Sequence, residues 1–179
     1  MIDIVLIIVL VFVGLVTVFF TWNLIGLCVC HVPCVSTSQK MVKKMIGLAN
    51  LKKGDITYDL GCGQGRIVFQ VAKKGIKCTG FEIVRPWVWL ANLKKALFIK
   101  KEQKKLIEFK CADFFKEDLS KADVIFCYLW PSIMERLYKE KWQQLKKGTR
   151  IISHGFPILN LEPIKIEKVG RTKIFVYEH

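Results

Sequence analysis

Hydrophobic and polar positions divide this chain into two unlike parts. From Ile4 to Leu27 the sequence is almost unbroken apolar, interrupted only by Gly14, Thr17, Thr21, Asn23 and Gly26. At about 1.5 Å per residue, a helix over this stretch is roughly 36 Å long, enough to cross a hydrocarbon core of about 30 Å. Beyond it, short apolar runs alternate with helical patterns. A helix is predicted over Ser36–Asn50, with Ser38 as N-cap and Met41, Met45 and Leu48 on one face. Strands are predicted at Ile56–Leu60, Lys77–Glu82, Ile107–Cys111, Asp123–Leu129 and Arg150–His154. Helices are predicted at Arg66–Lys74, from Pro86 to about Lys100, and at Ser132–Leu145. Ile164–Val169 and Thr172–Tyr177 flank Gly170-Arg171 as a closing hairpin. Strands alternating with helices imply an α/β domain with a mostly parallel sheet, to which the hairpin adds antiparallel strands at one edge. The expected organisation is an N-terminal transmembrane anchor over 1–30, a linker and leading helix over 31–50, and one domain over 51–179.

Charge changes this picture in one respect, by orienting the anchor. Only Asp3 precedes the apolar run, whereas Lys40, Lys43, Lys44, Lys52 and Lys53 follow it before the first acid, Asp55. The positive-inside rule then places the domain on the cytoplasmic side of a single-pass membrane protein. A cleaved secretory signal would have a basic start, a shorter apolar stretch and a small-x-small site, none of which is seen. Trp22 fits an interfacial position. The formal charge of +14 falls almost wholly on the domain. Lys94, Lys95, Lys100, Lys101, Lys104 and Lys105 crowd one predicted helix and its end, with Glu102 as the only acid among them. Anionic lipid is the first-ranked partner for that basic face, a plain solvated face ranks second, and nucleic acid ranks last because no aromatic-basic recognition motif accompanies the lysines.

The chemistry gathers at strand ends. Tyr58-Asp59-Leu60-Gly61-Cys62-Gly63-Gln64-Gly65-Arg66 closes a strand with an acid and breaks into three alternate glycines. Such a turn lets a ligand lie against bare backbone. Glu82 closes the next strand, 21 residues after Gly61, where a carboxylate can accept from both hydroxyls of a ribose. The dinucleotide pattern G-x-G-x-x-G is not met, since the third glycine comes one residue early, and the phosphate-loop pattern is absent. Asp59 would repel a diphosphate but suits a ligand carrying an amino group and a positive sulfur. Asp113 and Leu129-Trp130 also fall at carboxyl ends of strands, the edge where open α/β sheets hold ligands.

The D-x-G-x-G-x-G loop resembles motif I of the class I S-adenosylmethionine (SAM) methyltransferases, which implies a Rossmann-like methyltransferase fold. A narrower resemblance rests on Phe81-Glu82-Ile83-Val84-Arg85-Pro86-Trp87, Asp113-Phe114-Phe115, Tyr128-Leu129-Trp130-Pro131-Ser132, Lys147-Gly148-Thr149-Arg150 and Ser153-His154-Gly155-Phe156, in that order. With Val32-Pro33 and Ser36-Thr37-Ser38 ahead of the first helix, these segments resemble the membrane-anchored protein-lysine methyltransferases that modify the adenine nucleotide translocase and the membrane-ring protein of ATP synthase, and their prokaryotic relatives. The resemblance covers nearly all of residues 32–157. It departs at Gln64, where Asp is common, and at Gly155, where Asp usually follows the histidine.

That resemblance implies transfer of a methyl group from SAM to a lysine of a membrane-associated protein. It implies that Asp59 and the backbone of Gly61, Gly63 and Gly65 receive the methionine moiety, and that Glu82 takes the ribose hydroxyls. It further implies that Asp113 holds the adenine amino group with Phe114 beside the ring, and that Tyr128, Trp130 and Pro131 border the methyl-transfer channel. Alternatives stay open: a lipid, small-molecule or RNA acceptor, or a module that binds SAM without catalysis. Tyr128 and Trp130 could merely cap the sheet, and Asp113 could be a helix N-cap. His154 is expected to be a hydrogen-bonded structural histidine. No metal is expected: Cys62, Cys78, Cys111 and Cys127 read as reduced fillers, and the Cys28, Cys30, His31, Cys34 group matches no common zinc spacing and suits lipidation at least as well.

Overall fold

A computed structural model describes residues 4–30 and 37–179, with side chains from residue 4 to 21 and from 37 onward. The side chains of Trp22, Cys28, Cys30, His31 and Cys34, and the Val32-Pro33 segment, lie outside the described part. Two compact units result, Met1–Val35 and Ser36–His179.

The first unit contains one helix, α1 (Ile4–Cys30), in which Ile4–Thr21 is long and apolar enough to cross a membrane. Its described side chains are exposed. The Thr17 hydroxyl donates to the Gly14 carbonyl at 2.9 Å, and Thr21 donates to the Thr17 carbonyl at 2.8 Å. Both polar groups are thus satisfied by the helix itself, as an apolar solvent would require.

In the second unit, α2 (Gln39–Leu48) starts where the Ser38 hydroxyl accepts from the Met41 amide at 3.3 Å. Its Met41, Val42, Met45 and Ile46 are buried. There follow β1 (Ile56–Leu60), α3 (Arg66–Ala72), β2 (Lys77–Glu82), α4 (Arg85–Phe98), α5 (Lys101–Lys104), β3 (Ile107–Cys111), β4 (Val124–Cys127), α6 (Pro131–Lys141), β5 (Arg150–His154), β6 (Lys165–Val169) and β7 (Thr172–Glu178). The seven strands form one sheet in the order β3-β2-β1-β4-β5-β7-β6. The first five are mutually parallel, and β7 runs antiparallel to both β5 and β6. This is the mostly parallel sheet with an edge hairpin that the pattern predicts, in the Rossmann-like arrangement that the resemblance implies.

Alternation along the strands sorts the core into two layers. Val124, Phe126 and Ile152 pack with α2 and α3, whereas Leu60, Ile125, Cys127 and Ile151 pack with Met134 and Leu137 of α6. A central strand buried on both faces reads as a continuous apolar run, as Val124–Cys127 does. Chain order reverses between β1 and β4, so the crevice at their carboxyl ends is the switch point.

Several elements differ from their predicted extents, and in three the cause is visible. β4 is shorter at both ends, because Tyr128, Leu129 and Trp130 leave the sheet to lead into α6, with Pro131 at its first position. α4 stops at Phe98, since Ile99 and Lys100 turn extended before the separate turn α5. The helix predicted to reach Leu145 ends at Lys141 and tightens into a 3₁₀ turn over Trp142–Gln144.

Gly65 shows why the turn into α3 needs glycine. Its φ is +80°, and a Cβ there would lie 2.4 Å from Cζ of Phe109. We predict that Gly65→Ala costs about 3 kcal/mol of stability, from left-handed strain plus overpacking. A urea midpoint indistinguishable from the parent's would contradict this.

Candidate functional site

The site grows from the β1–α3 turn. Gly61, Gly63 and Gly65 all have left-handed φ, at 74°, 51° and 80°. The amides of Gly61 and Cys62 both donate to the Phe81 carbonyl, at 2.9 and 3.0 Å, and the Gly65 amide donates to the Cys62 carbonyl at 2.9 Å. The loop is therefore pinned to the end of β2 by main chain alone. Glu82 adds a second hold. One carboxylate oxygen accepts from the Gly63 amide and the other from the Val84 amide, each at 2.9 Å. A carboxylate has about four acceptor positions, so each oxygen keeps capacity for a further hydroxyl.

Asp59 sits one residue before the end of β1 and is only 4% exposed. Burial, reinforced by the Glu82 carboxylate, pushes its proton affinity up to a pKa of about 8. At neutral pH the acid is mostly protonated in the ligand-free protein. A cation placed beside it would reverse that preference.

Asp113 follows β3, and its Oδ1 accepts from the Phe115 amide at 3.0 Å as the N-cap of a 3₁₀ turn over Phe114–Lys116. The capping role is therefore real, and it occupies one carboxylate oxygen of the two. Phe114 and Phe115 lie with ring centroids 4.4 Å apart, and the Arg136 guanidinium sits 3.8 Å from the Phe115 centroid. The Ala112 amide donates to the Glu82 carbonyl at 3.0 Å, joining this corner to the end of β2.

The ends of β4 and β5 carry an aromatic stack. Tyr128 lies 4.1 Å from the His154 ring and 6.2 Å from Phe156, and Phe156 in turn stacks 5.7 Å from Trp130. Trp130 is 42% exposed, and Pro131 beside it is exposed. Leu129 brings this segment against the glycine turn, because a Cβ on Gly61 would meet its Cδ2 at 3.2 Å. Gly155, with φ of +82°, lets the Tyr128 ring approach to 3.0 Å from where its own Cβ would stand.

His154 departs from expectation. It is buried, yet neither ring nitrogen has a hydrogen-bond partner among the described residues. Its nearest ring is the phenol of Tyr128, and burial lowers its proton affinity below the ordinary histidine range, so the imidazole is neutral at pH 7.

Sequence reasoning also passed over Phe156, which links Tyr128 to Trp130, although an aromatic two residues after the end of β5 was the available signal. The amine of Lys94 contacts the amide oxygen of Gln64, tying α4 to the glycine turn. Arg66 donates to the Thr37 carbonyl at 3.0 Å, tying the turn to the segment before α2. Among the described residues no cluster of His, Cys, Asp or Glu is suited to a metal.

Known proteins share this arrangement. A family model, the ANTKMT methyltransferase domain, matches residues 59–165. A protein-lysine N-methyltransferase of Saccharolobus islandicus is 36% identical over 149 residues, covering 78% of this chain and 86% of the relative. An adenine nucleotide translocase lysine N-methyltransferase of Mus musculus is 26% identical over 149 residues, and the match covers 83% of this chain but 63% of that longer protein. Among solved structures, an RNA methyltransferase from Salinibacter ruber in complex with S-adenosyl-L-homocysteine superposes with a TM-score of 0.74 at 32% identity, covering 80% of this chain and 93% of that one.

Asp59 makes stability depend on pH in a definite direction. In the unfolded chain it ionises near 3.8, and in the fold near 8, so folding takes up a proton between those values. Its effect on stability is therefore least harmful below about pH 4 and increasingly unfavourable up to about pH 8. Asp59→Asn should raise the melting temperature by several degrees at about pH 8.5 and by little at about pH 4.5. An increment equal at both pH values would overturn the assignment.

Proposed function

The chain belongs to the ANTKMT methyltransferase family, SAM-dependent protein-lysine methyltransferases, and we propose that it methylates a lysine side chain of a membrane-associated protein. One observation carries the site assignment: a carboxylate-clamped glycine turn lies directly against an aromatic segment at the switch point of the sheet. The apolar helix α1 supports the membrane part of the reading, as a single-pass anchor with the domain on the cytoplasmic side.

The residues fit SAM on their own chemistry. Bare backbone at Gly61, Gly63 and Gly65 gives the methionine moiety close approach, and Asp59 offers a buried acid that only a cation would keep ionised. Glu82, already holding the turn, retains lone pairs for two ribose hydroxyls, and the second oxygen of Asp113 can accept from the adenine amino group with Phe114 beside the ring. Bound SAM supplies an electrophilic sulfonium methyl. The protein's task is then to align a neutral amine with it, and positioning of this kind can lower a barrier by roughly 7–11 kcal/mol. Tyr128, Trp130 and Pro131 border the acceptor path. The rings of Tyr128 and Trp130 can hold the incoming ammonium by their faces, and the amine must lose its proton before it attacks.

A second acceptor class, RNA, is favoured by one observation, the Salinibacter ruber structure described as an RNA methyltransferase. The net charge of +14 is compatible with it. Protein ranks first because the Saccharolobus islandicus relative is more similar and is named for lysine.

Radiolabel from SAM should enter membrane protein that survives nuclease treatment and lipid extraction, and mass spectrometry should find the label on lysine. Label lost with nuclease would transfer the assignment to RNA. Asp59→Ala should weaken SAM binding roughly 10- to 100-fold, the loss of a charge-assisted contact. SAM binding at pH 7 should release a proton as Asp59 ionises, seen by calorimetry in buffers of different ionisation enthalpy. Asp59→Asn should abolish that release; if it persists undiminished, Asp59 does not face the cation.

A further inference from the structure

Helix α4 presents its apolar side outward. Trp89, Leu93 and Leu97 recur every fourth residue and are 65%, 39% and 65% exposed, while Val88 and Ala91, the two buried residues of the helix, lie on the opposite side. At 3.6 residues per turn this is a single stripe turned away from the sheet. Phe98, at the end of the helix, is 77% exposed. A surface helix ordinarily buries its apolar stripe and exposes its polar one. Here the sequence has the period of an amphipathic helix, with its apolar side left uncovered among the described residues.

The charges around the stripe identify what would cover it. Lys94, Lys95 and Lys104 are engaged within the fold, the last two donating to the carbonyls of Ile107 at 2.6 Å and Ala96 at 2.7 Å. Arg85 before the stripe, and Lys100, Lys101 and Lys105 beyond it, are exposed, and their side chains have no bonded partner among the described residues. Between Val84 and Leu106 the only acid is Glu102. An apolar stripe containing tryptophan, with unpaired cations at both ends and almost no acid, has the chemistry of a helix lying in the interface of an anionic bilayer. A protein groove would have to be apolar along its floor and acidic at both ends, whereas an anionic bilayer supplies both together.

We propose that α4 is an interfacial docking helix. Trp89, Leu93 and Leu97 enter the head-group boundary of an anionic membrane, and Arg85, Lys100, Lys101 and Lys105 contact the head groups. α4 begins three residues after Glu82, so docking holds the ligand edge of the sheet close to the lipid surface. Docking through α4 does not require α1 to span the bilayer, and it adds partitioning to a basic face that would otherwise act by charge alone.

The test uses the full chain with phosphatidylcholine vesicles containing phosphatidylglycerol, prepared with ordinary or brominated acyl chains. In a Trp22→Phe background, the emission lost on adding Trp89→Phe isolates the signal of Trp89. That signal should be blue-shifted and quenched several-fold more by shallow than by deep bromines, and the quenching should weaken in phosphatidylcholine alone or in high salt. Leu93→Gln with Leu97→Gln should diminish it while calorimetric SAM binding is unchanged, which shows that the fold survives. A Trp89 signal indifferent to bromine overturns the proposal. A blue-shifted but unquenched signal also overturns it, and assigns the stripe to a second copy or another protein. Alkaline carbonate extraction reads the α1 anchor separately, so failure of the anchor and failure of α4 docking give different results.

Discussion

The Glu82 carboxylate bridges two backbone amides, one in the glycine turn and one at the start of the next connection, and the geometry of the site follows from that bridge. The three glycines make the turn possible by accepting left-handed φ, but possibility leaves it unfixed. The Phe81 carbonyl and the Glu82 side chain fix it to β2. Buried amides are costly to leave unpaired, so a chain that takes this turn needs an acceptor at this end of β2. The group expected to contact the ligand is also the group that shapes the ligand's bed. Structural and functional demands meet on one side chain.

Around that bridge the sheet collects acids at one edge. Asp59 lies one residue before the end of β1, Glu82 ends the neighbouring parallel strand, and Asp113 follows the next strand out. Two acids so close and so little hydrated cannot both ionise without penalty. The fold accommodates this by leaving Asp59 mostly protonated while no cation is near. A positively charged ligand then gains affinity and removes an electrostatic burden in one event. The neutral His154 at the end of β5 follows the same logic, since burial beside the Tyr128 ring holds it uncharged.

Much of this was legible in order along the chain. The strands ending at Leu60, Glu82, Cys111 and His154 have the bounds that alternation and punctuation imply. Buried parallel strands are short, apolar and sharply delimited by glycine, acid or lysine, so their signal is local. The longer-range facts were not legible. Nothing in sequence says that both oxygens of Glu82 are engaged by amides, because that depends on how β2 and the turn meet. The double use of Asp113, a cap with a second oxygen to spare, is likewise a matter of placement. The four-residue spacing of Trp89, Leu93 and Leu97 was visible, but which side of α4 meets the sheet depends on how Val88 and Ala91 pack. His154 was misread for the converse reason. Buried histidines are usually bonded, and the ring that faces this one, Tyr128, comes from the end of a different strand.

Gly155 carries a consequence for how this pocket can diversify. The Tyr128 ring occupies the space into which a side chain at 155 would project, and the backbone there is already left-handed. A side chain at 155 would ask the phenol to give by a few tenths of an ångström. Position 155 and the Tyr128 ring therefore constrain each other, and enlarging the one means shifting the other.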